Sequence, residues 1–399
     1  MLRIFSLCFA FTVMVQAQTL ETIIENSLAS HNSLKSIEQK LSALDDSLEL
    51  TQNFANPELT FSVSDIQFSD PMSRSVEPMQ NEGIAFKQKI PYFGKRGANA
   101  SYVNAKKSVV YSSLEMAKTA LVREIKLTAY TIWEFEKERA ILEESLELNR
   151  KNIELGTIYT LSESSLHMQT MGMKLFHSQL KIKRSRIVSI LGGLYAKLSY
   201  LASMKIDSLE MDAKVTVPKS LERYLELLSQ NRSYQYKSAQ VGAKSAFAEL
   251  KEYDSKIDPV VQLGYFHRAS FEDYLSFSIG ASLPIYGNES LRVQQARKEL
   301  LEAKFAKSDL YEKLKSDLHK SYAQLINSYE IYKILTTESL PQVEHMFELA
   351  GANINNGKNL LSLTSMLEKK LDLQEQKISA IASYKRAQTE IDALVGEIK

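Results

Sequence analysis

The chain has 399 residues, with 49 Lys and Arg against 48 Asp and Glu, and only 14 Gly and 8 Pro. A net charge of +1 with 24% charged residues excludes a general nucleic-acid binder, which carries a basic excess. So few helix breakers, in a length exceeding one ordinary domain, point to long uninterrupted elements rather than short strands and turns.

Arg3 is followed by the apolar run Ile4 to Val15, and Val15-Gln16-Ala17 offers a small-residue cleavage site. Residues 1–17 therefore read as a secretory signal peptide. The only cysteine, Cys8, would leave with that peptide and sits too early to accept a lipid. The mature chain is then expected to lack thiols and disulfides. No later stretch has about eighteen consecutive apolar residues, so a membrane-spanning helix is excluded.

The rest reads as two copies of one plan, residues 18–217 and 218–399. Pro91-Tyr92-Phe93-Gly94 pairs with Pro284-Ile285-Tyr286-Gly287. "NPELTFSV" from Asn56 pairs with "DPVVQLGY" from Asp258, and Tyr159 to Ser162 pairs with Ile354 to Gly357. The three correspondences occur in the same order, offset by roughly 193 to 202 positions. Each copy runs helix, strand, strand, very long helix, returning helix.

In the first copy the opening helix covers about Leu20 to Phe54, and a β-hairpin follows over 57–90. Leu59, Phe61 and Val63 alternate with polar neighbours. After a polar loop, Ile84, Phe86, Gln88 and Ile90 alternate with Ala85, Lys87 and Lys89. A coiled-coil hairpin is placed at 95–205. The second copy has its hairpin at 259–283, carried by Val261, Leu263 and Tyr265, then by Leu275, Phe277, Ile279, Ala281 and Leu283. Its coiled-coil hairpin is placed at 288–397. Strict alternation over about nine to eleven residues fits a tilted transmembrane strand, and it fits a half-buried soluble hairpin as well.

The helices separate these readings. Neither Ala98 to Leu155 nor Asn288 to Leu340 contains a Gly or Pro. The first run alone is on the order of 85 Å long as a helix. Leu114, Ala117, Leu121, Ile125, Thr128, Ile132 and Phe135 step by three and four, a coiled-coil seam, with Lys, Glu and Ser between them. Such a rod is stable only against neighbours. The return helices, about Ser164 to Leu201 and Leu360 to Glu397, supply some of these.

At the strand-to-helix corner, Pro91 and Pro284 fix φ and donate nothing to a ladder, while Gly94 and Gly287 permit the turn. Tyr92, Phe93 and Tyr286 suit an interfacial aromatic belt. Lys95 and Arg96 are placed to extend their charges toward headgroup phosphates. A phosphate-binding Gly-Lys loop is excluded, because no Gly stands at the required spacing. Four strands cannot close a barrel and lipid forbids an open edge, so lateral assembly follows. Three chains would supply a 12-stranded transmembrane β-barrel, four strands per chain, above a trimeric α-helical barrel. The open edges require closure, and the strand spacing sets no number of copies.

With this two-copy plan, the mature sequence resembles the TolC-like outer-membrane efflux duct family over essentially its whole length. "LPQVEHMFELAGANINNGKNLLSLTSMLEKKLDL", from Leu340, is similar to that family's passage into a helical hairpin tip and back. Gly357 matches the tip glycine, and Ser162 stands there in the first copy. "QKIPYFGKR", Gln88 to Arg96, is similar to the heavy-metal, CusC/CzcC-like branch. The resemblance implies a homotrimer in the outer-membrane lipid that extends into the periplasm. It implies a periplasmic adaptor and an inner-membrane pump as partners, and a passive conduit opened at its helical tips. It implies no catalysis and no cofactor. Ser162, Glu163, Gly357 and Lys358 are the expected tip, gate and adaptor contact. The metal or small-molecule cargo is not legible. Two departures stand out: Met168, Met171, Leu363 and Met366 occupy positions where many members carry acidic residues, and the lipid-bearing N-terminal cysteine of several metal-branch members is missing.

The remaining motifs are weaker. Met168, Met171 and Met173, between His167 and His177, offer thioethers suited to Cu(I), although Met fills helix seams routinely. A hydrophobic constriction there is the alternative to an acidic ring. Glu143, Glu144 and Glu147 read as a solvated helix face rather than a hydrolytic site. His267 is placed on a strand with a lumen-facing orientation open to it, and Met72 and Met79 fall in the first outer loop. The rival readings are a secreted trimeric coiled-coil scaffold or adhesin, and the periplasmic adaptor itself.

Overall fold

The computed structural model describes residues 18–159, 164–352 and 360–397. The segment 1–17 with Cys8, and the tip residues Ser162, Glu163, Gly357 and Lys358, lie outside them. The described chain is mostly helical, with one small antiparallel sheet and a two-residue parallel pairing. No described helix is long and apolar enough to cross a membrane.

Contacts divide the chain into two compact units, each drawing on both halves of the sequence. The first holds the described residues up to Lys35, Ala117–Asn231 and those from Lys313 onward. The second holds Ser36–Met116 and Arg232–Glu312.

The first unit begins with β1 (Gln18–Thr19), paired in parallel with β4 (Leu209–Glu210). Thr19 caps α1 (Leu20–Ser30) by accepting a hydrogen bond from the Thr22 amide. The apolar stripe Leu20, Ile23 and Ile24 is buried, and Ser27 Oγ donates to the Leu201 carbonyl at 2.6 Å. Two long helices follow, α3 (Lys95–Tyr159) and α4 (Ser164–Ala202). They are tied by Asn149 Nδ2 donating to the Met173 carbonyl at 2.9 Å, by Tyr195 with Glu136, and by Arg184 with Glu143. Of the predicted seam, Leu114, Leu121, Ile125, Thr128 and Ile132 are buried, while Ala117 and Phe135 are half-buried.

A second stripe on α3, Val122, Ala129 and Trp133, is buried as well, so this helix serves two neighbours. Trp133 packs with Ala213 and with Ala382 of α9 (Leu360–Leu394). Two ion pairs reinforce that junction. Arg123 grips Glu390 in a two-pronged contact at 2.6 Å, and Arg386 reaches Glu134. The planar fork suits a carboxylate better than a lysine would.

The second unit contains the sheet, in the order β2 (Glu58–Ser64), β3 (Asn81–Lys89), β5 (Pro259–His267), β6 (Tyr274–Ala281), antiparallel throughout. Its helices include α2 (Asn32–Leu50, from Ser36 on), the first turns of α3, α6 (Arg232–Asp254), and the start of α7 (Asn288–Ile334). Lys107 of α3 pairs with Asp45 of α2, Tyr102 of α3 meets Phe247 of α6 at 5.2 Å, and Arg297 of α7 pairs with Glu252 of α6 at 2.6 Å.

Two features depart from the sequence reading. The opening helix is not continuous: His31 adopts extended backbone and divides α1 from α2. In the second half the buried, non-helical Asn231 divides a short helix (α5, Leu221–Leu227) and its 3-10 extension from α6. Polar residues that compete for backbone hydrogen bonds occupy both breaks. The second long helix is also interrupted, by a π-helical turn over Leu335–Ser339 before α8 (Leu340–Ala352). The cause is Pro341: its nitrogen has no hydrogen to donate, and a widened turn relieves the clash of its ring with the preceding carbonyl.

Candidate functional site

The sheet has two chemically opposed faces. Its register sets Leu59 opposite Phe86, Phe86 opposite Leu263 and Leu263 opposite Phe277. The adjoining row is Phe61, Ile84, Tyr265 and Leu275. All these side chains share one face and all are exposed, Phe61 at 74% and Leu275 at 72%. The other face carries the row Thr60, Ala85, Gly264, Ser276 and the row Glu58, Lys87, Gln262, Ser278. Leaving one large apolar side chain in water forgoes roughly 1.5–3 kcal/mol. An uncovered face of this size is the mark of a surface meant for an apolar medium. The strands have seven to nine residues, about 23–31 Å along their own axes before any tilt. His267 shares the apolar face with Leu263 and Tyr265, opposite Glu82. Its ring lies 3.0 Å from Asp273 at the strand end.

The two hairpins have one register. Shifting β2 by 202 positions and β3 by 193 turns the Phe61–Ile84 pair into Leu263–Phe277, and Leu59–Phe86 into Val261–Ile279. These are the offsets between the Asn56 and Asp258 stretches and between the two proline corners.

Of the predicted corner residues, Gly94 and Gly287 have φ of 84° and 71°, the left-handed region that a residue without Cβ enters freely. The Gly94 carbonyl accepts the Ala98 amide at 2.9 Å and starts α3. The Gly287 carbonyl accepts the Leu291 amide at 3.2 Å and starts α7. Beside Pro91 and Pro284, Phe93 and Tyr286 are 93% and 83% exposed. The two cations turn toward the chain itself. Lys95 Nζ reaches Asp258 at 2.8 Å and Asp254 at 3.4 Å, and the Arg96 guanidinium lies 4.5 Å over the Phe54 ring. Asp258 is the residue that the sequence did not single out. It also accepts the Tyr92 amide at 2.9 Å and the Lys89 ammonium at 3.3 Å. Burial pushes its carboxyl upward, but the hydrogen bonds from Lys95, Tyr92 and Lys89 prevail and hold it below the usual carboxylate range. Its signal was present: an acid in the second copy where the first has Asn56.

In the first unit, Met168 and Met171 are exposed on α4, whereas Met173 is fully buried. Helical geometry thus separates the third thioether from the other two, and the cluster does not converge. Among the described residues no group of three or more His, Cys, Asp and Glu is arranged to hold a metal. Glu143 and Glu147 are exposed in ion pairs with Arg184 and with Arg150. The acid that matters electrostatically is Glu138 of α3, half-buried, whose carboxyl burial pushes up to about 7. Glu134 and Glu375 add to the rise and Lys183 opposes it.

No protein-family model matches the chain, and no curated protein matches it in sequence. Solved structures do match in shape. The outer-membrane channel OprN is 13% identical, with a TM-score of 0.77 over 95% of this chain and 90% of that one. CusC, which forms a transmembrane channel, is 11% identical, with a TM-score of 0.78 over 94% and 91%. The outer-membrane protein VceC of Vibrio cholerae is 13% identical, with a TM-score of 0.76 over 94% and 96%. Across nearly its full length, the chain therefore has the fold of these outer-membrane channels, the TolC-like fold that its sequence resembles.

Proposed function

We propose that the chain is the outer-membrane exit duct of a tripartite efflux system. The observation that carries this reading is the four-stranded sheet, apolar along one face and mostly small or polar along the other, where Phe266 and Tyr274 stack at one end, and whose outer strands β2 and β6 have no partner beyond them among the described residues. Backbone edges left open in hydrocarbon cost several kcal/mol per group, so the ribbon must close with copies of itself. Three copies of four strands give twelve, as in the trimeric barrel that the resemblance implies. The apolar face meets lipid and the polar face lines water. The helices extend into the periplasm, where a periplasmic adaptor meets tips at Ser162, Glu163, Gly357 and Lys358, and an inner-membrane pump supplies energy. The conduit is passive, carries metal ions or other small molecules, and performs no covalent chemistry.

A secreted trimeric scaffold is the rival, and the exposed apolar face speaks against it. Extraction of outer membranes with mild detergent should yield a heat-modifiable trimer that forms ion-conducting pores in planar bilayers. Recovery as a monomer in the soluble periplasmic fraction would overturn the reading.

A further inference from the structure

Within the second unit, α2, α3, α6 and α7 line a hollow of about 610 Å³. Its lining is strongly cationic. Lys40, Lys106, Lys237, Lys244, Lys251 and Arg292 face it, against two carboxylates, Glu299 and Glu302. The chain as a whole is nearly neutral, so this is a local concentration of one sign. Only part of it is neutralised: Lys244 pairs with Glu299 at 2.7 Å, and Lys251 pairs with Asp254 at 2.8 Å. Among the described residues Lys40, Lys106, Lys237 and Arg292 stand in no ion pair.

The lining also has an apolar part. Tyr102 and Phe247 line it with ring centroids 5.2 Å apart, as do Ala243 and the buried Ala296. Lys106 and Lys251 sit 5.6 Å and 5.1 Å from those rings, which turns the π faces and the cations into one surface. An inorganic anion would leave the two rings in contact with water, and a cation would be repelled by the excess of lysine and arginine. The volume falls in the range of small-molecule sites.

We infer that this hollow binds an aromatic organic anion, its ring on Tyr102 and Phe247 and its carboxylate or sulfonate groups among Lys106, Lys237 and Arg292. The site does not depend on the chain being a conduit, because binding requires only the folded protein.

The purified full chain in detergent is titrated calorimetrically with naphthalene-1,5-disulfonate, too polar to enter micelles, and with a dication built on the same ring. The disulfonate should bind once per chain, lose affinity as salt rises, and bind at least about tenfold more weakly to K106Q/K237Q/R292Q. K298Q/K304Q, two exposed lysines of α7 outside the hollow, should leave it unchanged. Should the triple variant fail to fold by circular dichroism, R292Q alone is expected to weaken binding about threefold. Equal affinity for the dication, or full affinity in the folded variant, would overturn the site. Neither result bears on pore formation, which the bilayer measurement reads separately.

Discussion

Lys95 Nζ lies 2.8 Å from Asp258 Oδ2, across 163 residues of sequence, and joins the start of the first long helix to the start of the third sheet strand. The same carboxylate takes the Tyr92 amide, so it fixes the corner's backbone as well as its charge. A carboxyl held below its ordinary range contributes stability above the unfolded carboxyl's pKa and loses it as pH falls through the folded value. Asp258→Asn is expected to cost about 1 kcal/mol at pH 7, with the gap to the wild type closing below about pH 4. Thermal unfolding in detergent across that range measures it.

Gly94 and Gly97 stand three residues apart and should respond oppositely to alanine. A Cβ at Gly94 would sit in a left-handed conformation 2.8 Å from the Tyr253 ring, whereas one at Gly97 meets nothing within 4 Å. Gly94→Ala should lose about 1–3 kcal/mol, and Gly97→Ala, inside a helix, should gain up to about 1 kcal/mol. Denaturation midpoints of the two variants should move in opposite directions.

Glu138 gives the helical unit a pH dependence of the reverse sign to that of Asp258. A carboxyl raised to about 7 contributes stability below the unfolded carboxyl's pKa and loses it as pH rises through 7. Glu138→Gln should therefore match the wild type near pH 4 and exceed it at pH 8, by on the order of 2 kcal/mol after allowance for partial solvent access. Melting temperatures at the two pH values provide the readout, and a gain confined to low pH would contradict the assignment.

The shared hairpin register predicts how copies would meet. The β3–β5 ladder pairs Phe86 with Leu263. Carrying each residue by its hairpin's offset places Ile279 of one copy opposite Phe61 of the next, apolar face matched to apolar face. Phe61→Cys with Ile279→Cys should form disulfide-linked oligomers under mild oxidation, because directly opposed Cβ atoms lie about 4.5–5.5 Å apart. Phe61→Cys with Leu275→Cys, four positions off register, should not. Non-reducing electrophoresis of membranes distinguishes the two.

Much of this fold was legible because its periodicities are long. Leu59-Phe61-Val63 and Ile84-Phe86 alternate over enough residues to define a face, and Leu121-Ile125-Ile132 define a helical seam. The stripe Val122, Ala129 and Trp133 was overlooked because a helix packed on two sides blurs its own period. Asp258 was overlooked because its role depends on a partner 163 residues away, which no local pattern encodes. The direction of Lys95 failed for the same reason: a cation beside an aromatic corner suits a headgroup until an acid is found within reach. The single histidine of β5 shows the converse, since one position of register settles its face.

The ribbon of four strands has a consequence for biogenesis. A solitary subunit in water exposes a broad oily flank, and the same subunit in hydrocarbon exposes two bare rims of amides and carbonyls. In the duct proposed above neither compartment suits an orphan copy, so joining sister subunits and entering the bilayer become one coupled event. The cost of both exposed surfaces then favours the assembled duct over stray protomers.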